Sequence, residues 1–481
     1  MAFETTILPR TASGFGWDLA GALFATTGFF SLPVLATGRA EAVLTVNRFF
    51  VADAAALFLA IFFFVVIRPL PRAGHGLASY RHHTKQHETF NLKSLQAFGK
   101  ILPPVRRGES DCFYSWRSAP WRLNIVWMKS RAYAKAGVDI DLGNRVKATL
   151  PELLARARRP GVLGKIGGFG GLFALDKRRY RQPVLVSSMD GVGTKLKIAF
   201  AMNRHDTVGQ DLVNHCVNDI VVLGAEPLFF LDYLGTGKLE AGVFEDIIKG
   251  FAKACAENRC ALIGGETAQM PGFYQPGEYD LSGTIVGVVE KTAILGGRDV
   301  KPGDAVIGLA SSGLHTNGYS LARKIFFEQL RLKPDCFIPE LGCKLGDELL
   351  KIHISYGPAI LALLKRFNRP GCPRKIKALA HITGGGFVDN IPRVLPKRCD
   401  VVIRKGSWPI PPVFQLLAKH GRLDEAELYQ VFNMGVGMVV IVENSSAEAI
   451  TRAFKAKGHQ AWLIGEVVKG TGAARVVQAT P

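Results

Sequence analysis

The chain has 481 residues, enough for two or three domains with buried cores, and carries a net charge of +20 at pH 7. Its basic residues are scattered, with no aromatic-plus-arginine platform and no helix-turn-helix pattern. The charge is therefore read as a surface that attracts phosphorylated metabolites, and nucleic acid is not expected as a partner. The eight cysteines form no CxxC pair and have no companion histidine spacing; they are read as free thiols in a reducing, cytoplasmic compartment, with neither disulfide framework nor zinc site.

Residues 1–127 differ in kind from the rest. Ala54–Ile67 is an uninterrupted apolar run of 14 residues, bounded by Asp53 and Arg68, and Ala22–Thr37 is a second run broken by Pro33. The unbroken run of 14 falls short of the roughly 20 residues that span a bilayer as a helix. A secretory signal would place its apolar core nearer the start, and a transit peptide would lack Glu4, Asp18 and Glu41. The segment is read as an extension upstream of the conserved enzyme, with Met128 as a credible start. A membrane anchor or a targeting segment, and with them a tethered or organellar location, are the alternatives.

After Met128 the pattern alternates. Strand-length apolar runs at 183–188, 227–234, 260–265, 283–290, 304–312 and 438–443 are separated by amphipathic helical segments, among them Val243–Glu257, Tyr319–Leu330 and Gly357–Phe367. The turn Lys301-Pro302-Gly303-Asp304 divides this part into 128–300 and 301–481. The expected fold class is α/β (mixed α+β) in two lobes.

Seven segments carry chemistry. Gly164–Gly171 (GKIGGFGG) is dense enough in glycine for backbone amides to approach a phosphate, although it is no Walker loop. Asp190, at the end of the apolar run PVLVSS, can hold Mg²⁺, and Gly191, Gly193, Thr194 and Lys195 follow with a tight turn, a hydroxyl and a cation for phosphate oxygens. Asp219, entering the apolar segment after Asn214-His215-Cys216-Val217-Asn218, is a second candidate ligand or a helix cap. Glu266, in Gly264-Gly265-Glu266-Thr267, is a third, so the three acids are expected to converge on one sheet edge. Ser311–Gly318 (SSGLHTNG) and His381–Gly386 (HITGGG) suit anionic groups, and His315 and His381 are candidate proton carriers. Asn433 supplies an amide to a ligand or holds a turn.

Taken in order, AGVDIDLGN, GGFGGLF, DGVGTK, CVNDIVVLGAEPLFFLDYLGTGKL, GGETAQMPGFY, SSGLHTNGYSLARK, HITGGGFVDNIPRVLP and VFNMGVGM closely resemble the aminoimidazole ribonucleotide synthetase (phosphoribosylformylglycinamidine cyclo-ligase) family over about residues 133–468. The resemblance implies a homodimer of two-lobed subunits whose N-terminal lobes pair through their sheets. It also implies ATP-dependent closure of formylglycinamidine ribonucleotide to aminoimidazole ribonucleotide, with Mg²⁺. By match to the family's motifs, Lys165, Gly167, Gly168, Phe169 and Gly170, with Asp190, Gly191, Gly193, Thr194 and Lys195, should hold ATP. Asp190, Asp219 and Glu266 should hold the metal, and His315, His381 and Asp219 should act in catalysis. Ser312, Asn317, Thr383, Gly384, Gly385 and Asn433 should meet the substrate. Where the family usually reads Pro-Thr-Arg-Ile-Tyr, this chain has Ile352-His353-Ile354-Ser355-Tyr356, and residues 1–127 have no family counterpart. The rival readings are another ATP-dependent enzyme of the same superfamily, or a membrane-tethered, degraded homologue. A selenophosphate synthetase is disfavoured because no cysteine lies between Lys129 and Gln210.

Overall fold

The computed structural model describes residues 131–478. The alternative readings of residues 1–127 lie outside the described residues. Among the described residues, no helix is long and apolar enough to cross a membrane.

The class is mixed α/β, built on two main sheets. The first has four strands: β1 (Pro183–Gly191), β2 (Glu226–Thr236), β3 (Ala261–Gln269) and β4 (Tyr279–Glu290), in the order β1-β4-β2-β3. Only the β2/β3 pair is parallel, and its crossover is the helix Ala241–Glu257, as a parallel pair requires. The second sheet has six strands: β5 (Ala305–Ala310), β6 (Ile376–His381), β7 (Cys399–Arg404), β8 (Val436–Val442), β9 (Ala461–Lys469) and β10 (Ala474–Val477). Its order is β6-β8-β5-β9-β7-β10. The strand β8 is buried at every position, as its unbroken apolar run VGMVVIV requires of a strand covered on both faces.

The expected runs at 183–188, 227–234, 260–265, 283–290, 304–312 and 438–443 all fall on strands, and Gly357–Phe367 is a helix with those bounds. The helix expected over Tyr319–Leu330 is α-helical only to Arg323 and continues as a π-helical stretch, Lys324–Gln329. The strands β6, β7, β9 and β10 were not anticipated.

The main departure is the helix Val208–Val221, named α1 here. Its polar residues Gln210, Asp211, Asn214, His215, Asn218 and Asp219 mask the apolar period, yet every residue but Asp219 is buried. It lies against β1, β2 and β4, against the crossover helix Ala241–Glu257 (α2) and against the helix Gly357–Phe367 (α3). A helix buried all round can hold polar side chains only where each finds a partner.

The crossing of α1 and α2 is made close by two glycines. A Cβ at Gly209 would stand 2.5 Å from the Ile247 carbonyl oxygen and 2.7 Å from the Phe251 nitrogen, and one at Gly250 would stand 2.7 Å from the Asp206 oxygen. Because the obstacles are backbone atoms, no rotamer change relieves them. The propensity gain of about 1 kcal/mol for alanine in a helix is outweighed by overpacking. Gly209→Ala is expected to lower stability by about 1–3 kcal/mol, read as a lower urea midpoint at unchanged m-value.

Candidate active site

Asp190 lies at the end of β1, half-buried, with its Oδ1 accepting the Gly191 N–H at 2.7 Å. Asp219 neither closes a strand nor caps a helix. It sits in the last turn of α1, four residues after His215, so the two project from the same face. His215 Nε2 is 2.8 Å from Asp190 Oδ2 and 3.8 Å from Asp219 Oδ2. From the second sheet, the last residue of β6 completes the group: His381 Nδ1 is 2.8 Å from Asp219 Oδ1. Ser188 Oγ donates to Asp219 Oδ2 at 3.0 Å. Both carboxylates are partly open to solvent, and both imidazoles are buried behind them.

Four histidines lie together there. His353 stacks on His315, with ring centroids 4.0 Å apart, and its centroid is 5.1 Å from those of His215 and His381. His215 Nδ1 is 2.6 Å and His353 Nδ1 3.3 Å from Thr316 Oγ1, and His353 Nε2 is 3.1 Å from His381 Nε2. Burial lowers the pKa of His315, His353 and His381, holding all three toward the neutral form. Burial also opposes charge on His215, but its hydrogen bond to Asp190 and the nearby carboxylates outweigh this and raise its pKa. Against the desolvation that would raise them, Asp190 is held low by His215 and Asp219 by His381.

The structure assigns several expected ligand groups to internal work. Lys195 is fully buried: its Nζ pairs with Asp211 at 2.8 Å and donates to the carbonyls of His315 (3.1 Å) and Lys351 (2.7 Å). Burial pushes Lys195 down and Asp211 up, each against the pull of the other. Thus Lys195 ties the first lobe to the second rather than facing a phosphate. Asn433 is likewise spent: Nδ2 donates to the Gly313 carbonyl at 2.8 Å, and Oδ1 accepts from Ser311 Oγ and the Gly435 N–H. His315, at a φ of 64°, accepts the Ser312 N–H on Nε2 at 3.2 Å. Ser312 Oγ donates to the Ile352 carbonyl.

Other expected residues do approach one another. Asn317 lies beside Gly384, where a Cβ would come 3.4 Å from its Oδ1, and its buried Nδ2 has no partner. Thr383 and Gly385 flank that exposed glycine, and Thr383 is held through Asn390. Thr194 is exposed, with its Oγ1 3.1 Å from Ser320 Oγ.

Glu266 does not join Asp190 and Asp219. Asp190 pairs with Gly283, Gly283 with Asp232 and Asp232 with Gly265, so one row crosses the whole sheet from β1 to β3. Three strand spacings, about 14 Å in all, separate the backbone of Asp190 from the strand that carries Glu266. The glycine loop lies at that far edge too. Lys165, Gly167, Gly168, Phe169 and Gly170 are exposed, with positive φ at Gly164 and Gly167. The loop's base, with Ala261, Leu262 and Ile263 of β3, lines a cavity of about 330 Å³.

Sequence reasoning did not single out His215, Thr316, Asn218, Asp211 or Asp232. The spacing of four between His215 and Asp219 was the available signal, once 208–221 is read as a helix. Asp232, paired in the row with Gly265, which precedes Glu266, is held up at about 7, chiefly by burial and further by the Glu266 charge.

The AIR synthase related family matches this chain in two parts: its N-terminal domain over residues 178–289 and its C-terminal domain over residues 301–478. A phosphoribosylformylglycinamidine cyclo-ligase of Syntrophotalea carbinolica is 53% identical over 341 residues, covering 71% of this chain and 95% of the relative. Another, of Thermoanaerobacter pseudethanolicus, is 52% identical over 340 residues, covering 71% and 98%. Among solved structures, the thiamine-monophosphate kinase of Stenotrophomonas maltophilia superposes with a TM-score of 0.50 at 17% identity, covering 68% of this chain and 95% of that one. The hydrogenase maturation protein HypE in complex with ATP gives 0.51 at 17% identity, covering 70% and 91%. At that identity the two structures share the fold alone.

Two expectations follow. Lys195→Met strands the buried Asp211 carboxylate, and should lower the unfolding free energy by about 3–5 kcal/mol in urea titration. Asp232 keeps its proton to about 7 when folded but releases it near 3.8 when unfolded. Between those values the unfolded chain binds fewer protons, so this residue makes stability fall as pH rises. Asp232→Asn should therefore gain over the parent between about pH 5 and about pH 8 in paired urea titrations.

Proposed function

Because the chain belongs to the AIR synthase related family, in the line of the phosphoribosylformylglycinamidine cyclo-ligases, we propose that it closes formylglycinamidine ribonucleotide to aminoimidazole ribonucleotide, with ATP giving ADP and phosphate. The observation that carries this reading is the meeting of Asp190 and Asp219, from the first lobe, with His381, from the second.

The chemistry sets what such a site must do. An amide oxygen is a poor leaving group. It attacks the γ-phosphorus of ATP, ADP departs, and the oxygen becomes part of a phosphate ester. An amidine nitrogen of the same substrate then attacks that carbon, phosphate leaves with the oxygen, and the nitrogen gives up a proton. No protein nucleophile is needed, so catalysis rests on positioning, charge neutralisation and proton transfer.

The half-open carboxylates Asp190 and Asp219 suit a divalent cation, since both turn toward one point beside His215 Nε2. Bound there as Mg²⁺, the ion would neutralise charge on the phosphate oxygens. Behind it, His215 and His381 hold the two carboxylates in register. Next to them, Thr194 and the amides of Gly191–Gly193 face the transferred group, while Asn317, Thr383, Gly384 and Gly385 meet the ribotide phosphate. Lys165, Gly167, Gly168, Phe169 and Gly170 form an exposed loop that covers the nucleotide at the far edge, on whose strand Glu266 stands. In a homodimer paired through the first sheet, the exposed Leu185 and Met189 of β1 would be covered.

Asp190→Asn tests the assignment. ATP-dependent phosphate release in the presence of the open-chain ribotide should fall at least about 100-fold, with the circular dichroism spectrum preserved. Turnover at the parental rate would remove Asp190 from the site. A parent protein that releases no phosphate with this ribotide would remove the proposed reaction.

A further inference from the structure

The glycine turn that follows β6 is fastened from behind by one buried side chain. Asn390, 3% exposed, ends the short helix Gly386–Asn390. Its Nδ2 donates to the Gly386 carbonyl at 2.8 Å and to the Gly384 carbonyl at 3.2 Å, with the Thr383 carbonyl at 3.5 Å. Carbonyl oxygens only accept, so the NH₂ end of the amide must face them. Its Oδ1 is left to accept the Thr383 hydroxyl at 3.4 Å.

A trans peptide points its carbonyl and the following N–H in opposite directions. Drawing the Thr383 and Gly384 carbonyls inward therefore turns the N–H groups of Gly384 and Gly385 outward. Neither meets an acceptor among the described residues, whereas their neighbours Ile382 and Gly386 donate to the carbonyls of Gly437 and Thr383 at 3.0 Å each. The turn requires a φ of 93° at Gly385 and 56° at Gly386, and a Cβ at Gly386 would run into the Tyr429 carbonyl oxygen, so glycine is needed there. Successive outward amides of this kind form a concavity suited to an anion. Asn317 Nδ2, buried without a partner beside Gly384, offers a further donor to the same place.

We infer that Asn390 is the positioning residue that makes this chain select a phosphorylated ribose over an unphosphorylated one, by holding the 383–386 turn with its amides outward. This deepens the preceding reading and rests on its assignment of Asn317, Thr383, Gly384 and Gly385 to the ribotide phosphate. Asn390 stands behind the turn and acts through the backbone alone. Without its NH₂ group the Gly384 carbonyl loses its donor, and the peptides that present Gly384 and Gly385 are free to rotate. The phosphate then loses hydrogen bonds to a charged group, each worth about 1.5–3 kcal/mol, or roughly 10- to 150-fold in affinity. The rest of the substrate and the nucleotide keep their contacts, because the cation site and the loop at the far edge of the first sheet take no part in this turn.

The test is calorimetric titration of the full-length protein with formylglycinamidine ribonucleotide and with the corresponding riboside, which lacks only the phosphate. The parent should bind the ribotide at least about 100-fold more tightly than the riboside. In Asn390→Ala that ratio should shrink at least about tenfold, while riboside affinity and the KM for ATP stay within about twofold. Should that variant fail to fold, Asn390→Ser gives the same comparison: its hydroxyl can still donate back to the Gly386 carbonyl but does not reach Gly384. Equal affinity of the parent for the two ligands overturns the proposal, as does a ratio unchanged in a folded variant. Riboside and ATP affinity falling in step with the ribotide would mark a merely structural residue and overturns it as well. Phosphate release with ATP, Mg²⁺ and the ribotide, followed on the same parent preparation, reports on the ligase reading alone. A parent that prefers the ribotide yet releases no phosphate removes that reading and leaves the role of Asn390 standing.

Discussion

The organising constraint is the burial of α1. A helix enclosed on all sides cannot carry Asp211, Asn214, His215 and Asn218 unless each is matched, because an unpaired buried polar group costs about 1–3 kcal/mol and a charge more. Neighbours in the first lobe supply part of the matching: Lys195 for Asp211 and Asp190 for His215. The rest comes from the second lobe. Asn214 Nδ2 donates to the His353 carbonyl, the His353 N–H donates to Asp211, and the Tyr356 N–H donates to Asn218. The segment 352–356 is thus held against α1 by backbone groups whose partners were already fixed.

This seam explains why the site lies where it does. The same helix face that binds 352–356 ends in Asp219, so satisfying its polar residues also brings His381 of β6 to that carboxylate. Fold stability and site assembly share one set of hydrogen bonds. The carboxylates remain partly open while the imidazoles are sealed in, so charge faces the ligand and its orientation is controlled from behind. Preorganisation of this kind is what a phosphoryl transfer without a protein nucleophile requires.

Much of this was legible in the sequence, for physical reasons that can be named. Strands covered on both faces read as unbroken apolar runs, which is why β8 was evident, and the acid-then-glycine pattern after PVLVSS located Asp190 at a strand end. The interior helix was illegible because its polar residues erase the period that marks amphipathic helices; Asp219 was consequently read as a strand or helix boundary. Lys195 was read as a phosphate hand from its motif, although the apolar Leu196, Ile198 and Ala199 after it are all buried. Glu266 ends an equivalent run but belongs to the opposite edge of the sheet, and strand order does not follow from chain order. His353 stood out only as a departure from the family pattern, and its place at the centre of four imidazoles depends on the tertiary seam.

The central claim is that this seam gathers the terminal phosphate of ATP beside an amide oxygen that leaves as phosphate. It is tested most directly by labelling the formyl oxygen of the open-chain ribotide with a heavy oxygen isotope and following one turnover by mass spectrometry. The account predicts that the label appears in inorganic phosphate. Label recovered in water, with unlabelled phosphate, would contradict it.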